Sequence, residues 1–251
     1  MPRTAAAEAP PATYMRIADT LAQRLARRQP GALVESENEL AAMFGVNRLT
    51  ARAALEELER RYAVRRTKGR GTFVARRFDY RIGPDRTPSW TVTVREAGGR
   101  PRTENDRVRL VRPPIWARRE LGLGEDGRAY HLQRRRWVDE NLATYSSSFV
   151  SPEVVPGFER RMGVESSLHD VLTDFYELAP QRAWSRCEFE VASPAVAKQL
   201  GLRGRDLVSV VRGRLDCESS GRRIEASVAY ARMDVLNIVY EFGVGAGEVR
   251  R

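Results

Sequence analysis

The stretch Ser36-Glu37-Asn38-Glu39, followed by Gly45 and Asn47, constrains this chain more than any other feature. S-x-x-E is the spacing of a capping box. The Ser36 hydroxyl can accept from the Glu39 amide while the Glu39 carboxylate reaches back to the Ser36 amide. A short helix to Phe44 follows, and Gly45 supplies the left-handed residue that stops it. Asn47 then starts a second helix to about residue 62, with Ala51, Leu55, Leu58 and Tyr62 on one apolar strip. Upstream, Ile17, Ala18, Leu21 and Leu25 recur at helical spacing, which predicts an amphipathic helix over 14–28 that Pro30-Gly31 ends. Two short helices joined at Gly45 have the helix-turn-helix layout, whose second helix enters the major groove by its N-terminal end.

Arg48, Leu49 and Arg52 fall beside the buried strip, with Arg48 and Arg52 one turn apart. Arginine at such positions can pair bidentately with guanine or clamp phosphates; any single helix arginine can equally be a solvated one. The next segment favours the DNA reading. Two β-prone runs, 63–66 and 72–75, flank a Gly-containing loop and predict a hairpin. Its tip carries Lys68, Gly69 and Arg70, suited to the minor groove or to flanking phosphates. A phosphate-binding loop is the rival, but the Walker spacing is absent and the loop joins two strands.

Charge distribution agrees. Residues 1–77 hold 15 Arg and Lys against 8 Asp and Glu, whereas residues 78–251 hold 28 against 25, so most of the net +10 sits in the first third. That is the distribution expected where the first segment meets a polyanion. No apolar run approaches the ~18 residues of a membrane span, and the first dozen residues lack a signal-peptide core and read as a floppy leader. Cys187 and Cys217 are far apart without partners at metal spacing, and read as thiols in a reducing cytosol, with a disulfide as the minor alternative. His131 and His169 are the only histidines, which excludes a His-rich metal site; His169 reads as a polar helix residue. No nucleophile elbow or Ser-His-Asp order is present, and no catalytic residue, metal or cofactor is expected.

Residues 76–89, with Gly83-Pro84 and Thr87-Pro88, read as a linker. Strand-type runs follow at about 103–112, 128–139, 142–150, 182–192, 206–217 and 222–232, with helical patterns near 114–122, 166–178 and 194–201. Hairpin-like pairs interleaved with a few helices predict an α+β domain with a mainly antiparallel sheet. Arg134 and Arg136, two apart on a strand, point to one face, where converging guanidinium groups suit phosphate, phosphonate, sulfate or carboxylate. The alternative is a merely basic, solvated strand, since Arg135 lies between them.

The stretch from Tyr14 to Val74 resembles the GntR family of bacterial regulators. The matching pieces are Ile17-Ala18, Ser36-Glu37-x-Glu39-Leu40-Ala41, Phe44-Gly45-Val46-Asn47-Arg48-x-Thr50-x-Arg52-x-Ala54-Leu55-x-x-Leu58 and Gly69-Arg70-Gly71-Thr72-Phe73-Val74. The resemblance implies a winged helix-turn-helix with DNA contacts at Asn38, Arg48, Leu49, Thr50, Arg52 and the wing at Gly69. Asn38 stands where many members have Arg, and Leu49 where many have a polar residue; Leu49 can touch a thymine methyl instead.

The second half resembles the ligand-binding domain of the HutC branch, related in fold to chorismate lyase. It does so through Arg134-x-Arg136-x-x-Asp139, Ser167-Leu168-His169-Asp170, Glu225 and Tyr230-x-Arg232-x-Asp234. Phe78-Asp79-Tyr80 and the Ser167 motif look like regulators of phosphonate utilisation. The branch implies an anion held by backbone amides near Trp90 and Thr91, a hydroxyl at Ser167, and Glu225 meeting an amine or hydroxyl of the ligand; Glu225 can equally pair with a structural arginine such as Arg232. The branch also implies a helix where Thr91-Val92-Thr93-Val94 has strand propensity, and the helix is favoured.

The expected organisation is therefore a leader at 1–12, a DNA-binding domain at 13–75, a linker at 76–89 and an effector-binding domain at 90–245. The expected function is that of a cytoplasmic, homodimeric repressor that binds double-stranded DNA at an inverted repeat and is released by a small anion. The rivals are a lyase or other enzyme on the second domain, since fold does not fix function, and a ligand-independent DNA-binding regulator.

Overall fold

The computed structural model describes residues 12–67, 69–202 and 206–242. The expected leader lies outside the described residues but for Ala12, as do Lys68 of the expected wing and residues 243–245 of the expected second domain. The chain forms two compact units that divide between Arg76 and Arg77.

The first unit contains helix α1 (Thr13–Leu25), strand β1 (Leu33–Val34), α2 (Glu37–Phe44), α3 (Arg48–Arg60), β2 (Val64–Thr67) and β3 (Gly71–Val74). Both halves of the capping box form: the Ser36 hydroxyl accepts from the Glu39 amide at 3.3 Å, and Glu39 Oε2 accepts from the Ser36 amide at 2.7 Å. Gly45 closes α2 at φ 61°, a conformation that costs a residue with a Cβ. Helix α3 ends at Arg60 rather than at Tyr62, because Tyr62 itself takes a left-handed φ of 55°. Ile17, Leu21 and Leu25 of α1 bury against Leu40, Leu55 and Leu58, the strips that the spacing predicts. Strands run in the order β1-β3-β2. The β2–β3 hairpin pairs from Val64 with Val74 to Thr67 with Gly71, so β2 begins and ends one residue later than expected and β3 one residue earlier. Gly71, at φ 113°, takes a backbone conformation strained for any residue with a Cβ, which would also fall a tight 3.0 Å from Leu33 Cδ1.

The second unit runs β4 (Phe78–Ile82), α4 (Trp90–Glu96), β5 (Pro101–Asn105), β6 (Arg109–Val111), α5 (Ile115–Leu121), β7 (Ala129–Val138) and β8 (Asn141–Val150). It continues through α6 (Leu168–Asp170) with a π-helical turn at Val171–Phe175, then β9 (Pro180–Val191), α7 (Pro194–Leu200), β10 (Leu207–Cys217), β11 (Arg223–Arg232) and β12 (Leu236–Tyr240). Seven strands form one antiparallel sheet in the order β5-β7-β8-β11-β10-β9, with β6 also on β7. The fold is thus α+β, as expected. The strand expected at 103–112 is two strands, because Asn105 turns away to donate from its side chain to the Gly163 and Ser166 carbonyls.

One correction concerns the chain around the expected linker. Phe78–Ile82 is a strand, paired in parallel with β12, a strand that the sequence reading did not anticipate. Phe78 and Ile82 are buried, so the alternation in Phe78-Asp79-Tyr80-Arg81-Ile82 is that of a half-buried strand. The Thr91–Val94 segment is helical: Ser89 caps α4 by accepting from the Val92 amide at 3.4 Å, and Trp90, Thr93 and Val94 bury at i, i+3 and i+4 spacing. Tertiary burial overrides the local β propensity there.

One face of the sheet packs against α5 and α7, through Ala117, Leu121, Phe149 and Ala226 and through Val196, Leu200, Val208 and Val210. The opposite face is covered at one end by α4 with the β4–β12 ribbon, around Phe78, Trp90, Val94 and Leu236. At the other end it is covered by α6 and the segment before it, around Val155, Phe158, Leu168 and Leu172. A cavity is left between these covers.

Loss of the Ser36 hydroxyl in Ser36→Ala should lower the stability of the first unit by about 1 kcal/mol. Urea unfolding of the full chain measures this, and an unchanged midpoint would contradict the capping assignment.

Candidate functional site

Asn38, in the first turn of α2, and Arg48, Leu49, Thr50 and Arg52, in the first turns of α3, lie at the N-terminal ends of their helices. Leu49 is 74% exposed, and the Arg48 and Arg52 side chains are 68% and 54% exposed. Exposure of a leucine at a helix start between two arginines is an apolar contact surface without a partner in the monomer. Thr50 has a local task as well: Asn47 Oδ1, the cap of α3, accepts from its amide at 2.8 Å and from its hydroxyl at 3.1 Å. Arg48 and Arg52 are held by acids. Arg48 Nε donates to Glu37 at 2.9 Å, Arg52 Nε donates to Glu56 at 3.1 Å, and Glu37 lies 3.9 Å from Arg52. Asn38, Arg48, Gly69 and Arg70 share one open groove with Glu37 and Arg66. The sequence does not mark Glu37 or Arg66 as groove residues: Glu37 stands inside the capping motif, and Arg66 reads only as a strand residue.

The second unit encloses a cavity of about 110 Å³, several times the ~10–15 Å³ that one water occupies by the same measure. Trp90, Thr91, Arg134, Arg136, Ser167 and Glu225 all line it. Their convergence follows from the register. Thr144 and Ser146 of β8 stand directly across from Arg136 and Arg134 of β7, so one sheet face carries both guanidinium groups and both hydroxyls. Arg135 points to the other face, where it pairs with Glu104 at 2.8 Å. Trp90 and Thr91 open α4, where first-turn amides have no intrahelical acceptor. Ser167 caps α6, accepting from the Asp170 amide at 3.3 Å, which leaves its hydroxyl proton free to donate.

Glu225 pairs with an arginine, as one of the two expectations has it, but not with Arg232. Its partner is Arg134, at 2.7 Å, with both side chains about 5% exposed; Arg134 also donates to Ser148. Arg232, the alternative partner, instead clasps Asp234. Arg134 is therefore already neutralised, while Arg136 has no carboxylate within ion-pair distance among the described residues. Burial, and then the like charge of Arg134, push the Arg136 guanidinium down to about 9, still a cation at neutral pH. Its Cζ lies 5.8 Å from the Trp90 ring centroid.

Several lining residues were not anticipated. Tyr80 stacks on Trp90 with centroids 5.5 Å apart, and its hydroxyl accepts from Arg182 Nη2 at 3.4 Å. Trp184 and His169 also face the cavity. Trp90 Nε1, Arg134 Nε, Thr144 Oγ1, Ser146 Oγ, His169 Nδ1 and Arg182 Nε are all buried without a hydrogen-bond partner, and all belong to lining residues. Unanswered buried polar groups are costly and uncommon, so their clustering marks a surface shaped for something polar. No pattern in the sequence singles out Arg182, and His169, inside the Ser167-Leu168-His169-Asp170 motif, reads there only as a polar helix residue.

A helix-turn-helix with a basic hairpin, in one chain with a sheet domain closed over a cationic cavity, defines a class: DNA-binding transcriptional regulators with an effector domain. Residues 13–74 match the bacterial regulatory proteins of the gntR family, and residues 96–237 match the UTRA domain. The chain belongs to the GntR family, in the branch whose second domain is a UTRA domain. It is similar to the HTH-type transcriptional regulator GgaR of Escherichia coli (strain K12), 27% identical over 91% of this chain and 90% of that protein. It is also similar to the probable transcriptional regulator PhnF of the same strain, 27% identical over 92% of this chain and 95% of that one. In fold it matches the crystal structure of PhnF from Mycobacterium smegmatis, with a TM-score of 0.63, 20% identity, and coverage of 91% of this chain and 100% of the other.

Burial pushes His169 below the ordinary imidazole value, and burial with the Arg109 charge does the same for His131. Each binds its proton more readily in the unfolded chain. Between the depressed folded value and about 6.5, stability therefore rises with pH and is lost on acidification. The thermal midpoint should fall as pH drops below about 6.5, before carboxylates titrate, and His169→Gln should flatten that slope. An unaltered slope in the variant would remove His169 from the buried neutral groups.

Proposed function

We propose that this regulator is a ligand-responsive repressor: a homodimer that sits on an inverted-repeat operator and leaves it when a small anion enters the second domain. The observation that carries the ligand-responsive part is Arg136. It is a guanidinium facing an enclosed cavity with no carboxylate to answer it, beside hydroxyls and first-turn amides that can donate to an anion. A phosphonate, phosphate or sugar phosphate fits that donor set, because its oxygens accept several charge-assisted hydrogen bonds at once.

On the DNA side, Arg48, Leu49 and Arg52 read the major groove, with Thr50 and Asn38 flanking them, and the hairpin bearing Lys68, Gly69 and Arg70 follows the adjacent backbone. Phosphates compete with Glu37 and Glu56 for the two arginines, so affinity should be strongly salt-dependent. A two-fold dimer carries two such helices to two half-sites. Ligand acts by preferring a state of the dimer in which the helices no longer match their spacing; only such differential affinity shifts the equilibrium. The cytoplasm, where the chromosome lies, is the proposed location.

Gel shift with the DNA upstream of the protein's own gene, at fixed salt and with competitor DNA, tests the reading. Arg48→Ala or Arg52→Ala should weaken operator binding by roughly 1–3 kcal/mol, and unchanged affinity in both would refute the recognition-helix assignment. Arg136→Ala should bind operator like the parent chain and no longer respond to any compound in a panel of phosphonates, sugar phosphates and carboxylates. A retained response would take Arg136 out of the effector site.

A further inference from the structure

We propose that the effector presents two negative charges to the cavity, and that Arg182 with Tyr80 is the element that selects a doubly charged ligand over a singly charged one. This rests on the reading of the cavity as the effector site.

Four guanidinium groups line the cavity, and two are answered in place. Arg134 is paired with Glu225 at 2.7 Å. Arg214 is held by both oxygens of Asp216, at 2.8 and 2.9 Å, and by Glu120 at 3.3 Å. For the other two, Arg136 on β7 and Arg182 on β9, no carboxylate lies within ion-pair distance among the described residues. Glu225, the one carboxylate lining the cavity among the described residues, is paired with Arg134.

The two free cations come from strands with β8, β11 and β10 between them, yet a chain of aromatic contacts brings them to one end of the cavity. The Tyr80 hydroxyl accepts from Arg182 at 3.4 Å, the Tyr80 ring stacks on Trp90, and Trp90 lies beneath Arg136. Arg182 Nε is buried with no protein acceptor among the described residues. Two like charges sharing a partly closed, low-dielectric space repel each other and destabilise the unliganded fold. A ligand with one negative charge leaves one of them unanswered; a ligand with two answers both.

Two chemistries supply that double charge. A phosphoryl or phosphonate group above its second pKa, about 6 for a phosphoryl ester, concentrates both charges on one tetrahedral centre. A small dicarboxylate spreads them over two planar groups. Both require Arg182, and both are distinguished from a monoanion by the same residue.

The test is calorimetric titration of the full chain with inorganic sulfate, methyl sulfate and succinate at constant ionic strength, alongside thermal unfolding without ligand. Sulfate is a tetrahedral dianion, methyl sulfate its singly charged counterpart, and succinate carries two carboxylates. The parent chain should bind sulfate or succinate at least tenfold more tightly than methyl sulfate, and the tighter of the two identifies the source of the double charge. Arg182→Gln should bring the dianion down to the level of methyl sulfate and leave methyl sulfate unchanged. It should also unfold, without ligand, at or above the temperature of the parent. Arg182→Lys, which keeps the charge, should retain most of the preference and guards against a folding defect in the first variant. An undiminished dianion preference in Arg182→Gln, together with loss of all binding in Arg136→Gln, would overturn this proposal and leave the effector site standing. Failure of every probe to bind the parent chain, with Arg136→Gln indistinguishable from it, would overturn the effector-site reading itself.

Discussion

The buried pair of Arg134 and Glu225 is the interaction on which the second unit's chemistry depends. Two ions taken out of water repay their desolvation only with good geometry and further hydrogen bonds. Here Arg134 on β7 reaches over β8, donates to Ser148 on the way, and meets Glu225 on β11 at 2.7 Å. The pair ties three adjacent strands across the cavity floor. It also occupies Glu225, the one carboxylate among the described lining residues, so that Arg136 and Arg182 face the space without an ion-pair partner among the described residues. Replacing a buried ion pair by well-packed apolar residues is often neutral or stabilising, and such a floor would leave the proposed anion site without these polar groups. The arrangement is of the kind in which stability yields to function.

A related tension operates in the first unit. Arg48 and Arg52 project from the start of α3, where the helix dipole already favours an anion, but Glu37 and Glu56 hold them while no DNA is present. These exposed pairs contribute little to stability. Each pair gives its arginine a carboxylate partner at the start of α3, and under the proposed DNA reading phosphates and base edges compete for it. Leu49, between them, has no such restraint and no burial, which leaves contact with an apolar group outside the monomer as the way to cover it.

Much of this was legible in the sequence, for identifiable reasons. The capping box at Ser36, the stop at Gly45 and the strip through Ala51, Leu55 and Leu58 are local signals, and local signals survive into the fold. Trp90, Thr91, Arg134, Arg136, Ser167 and Glu225 came from short motifs and a family resemblance, and they line one cavity. What stayed hidden depends on long-range register. Phe78–Ile82 looks like a linker because its strand partner, Leu236–Tyr240, lies at the far end of the chain. Glu225 finds Arg134 rather than Arg232 because β8 stands between β7 and β11, an order that no spacing reveals. Arg182 is a single residue without a motif, and its place in the cavity lining appears only once the strands are assembled. The Thr91–Val94 segment shows the converse: its β-branched residues argue for a strand, and burial at helical spacing decides otherwise.

The central claim is that one chain couples a DNA-reading surface to an anion cavity. Coupling of this kind is reciprocal: if ligand weakens DNA binding, DNA must weaken ligand binding by the same factor. Trp90 and Trp184 line the cavity, so tryptophan fluorescence reports its occupancy. The most direct measurement is therefore a fluorescence titration of the full chain with the compound that releases it from DNA, with and without saturating operator duplex. The account predicts a saturable change whose midpoint moves to higher ligand concentration when operator is present, by the factor that ligand imposes on DNA affinity. Equal midpoints with and without operator would contradict it.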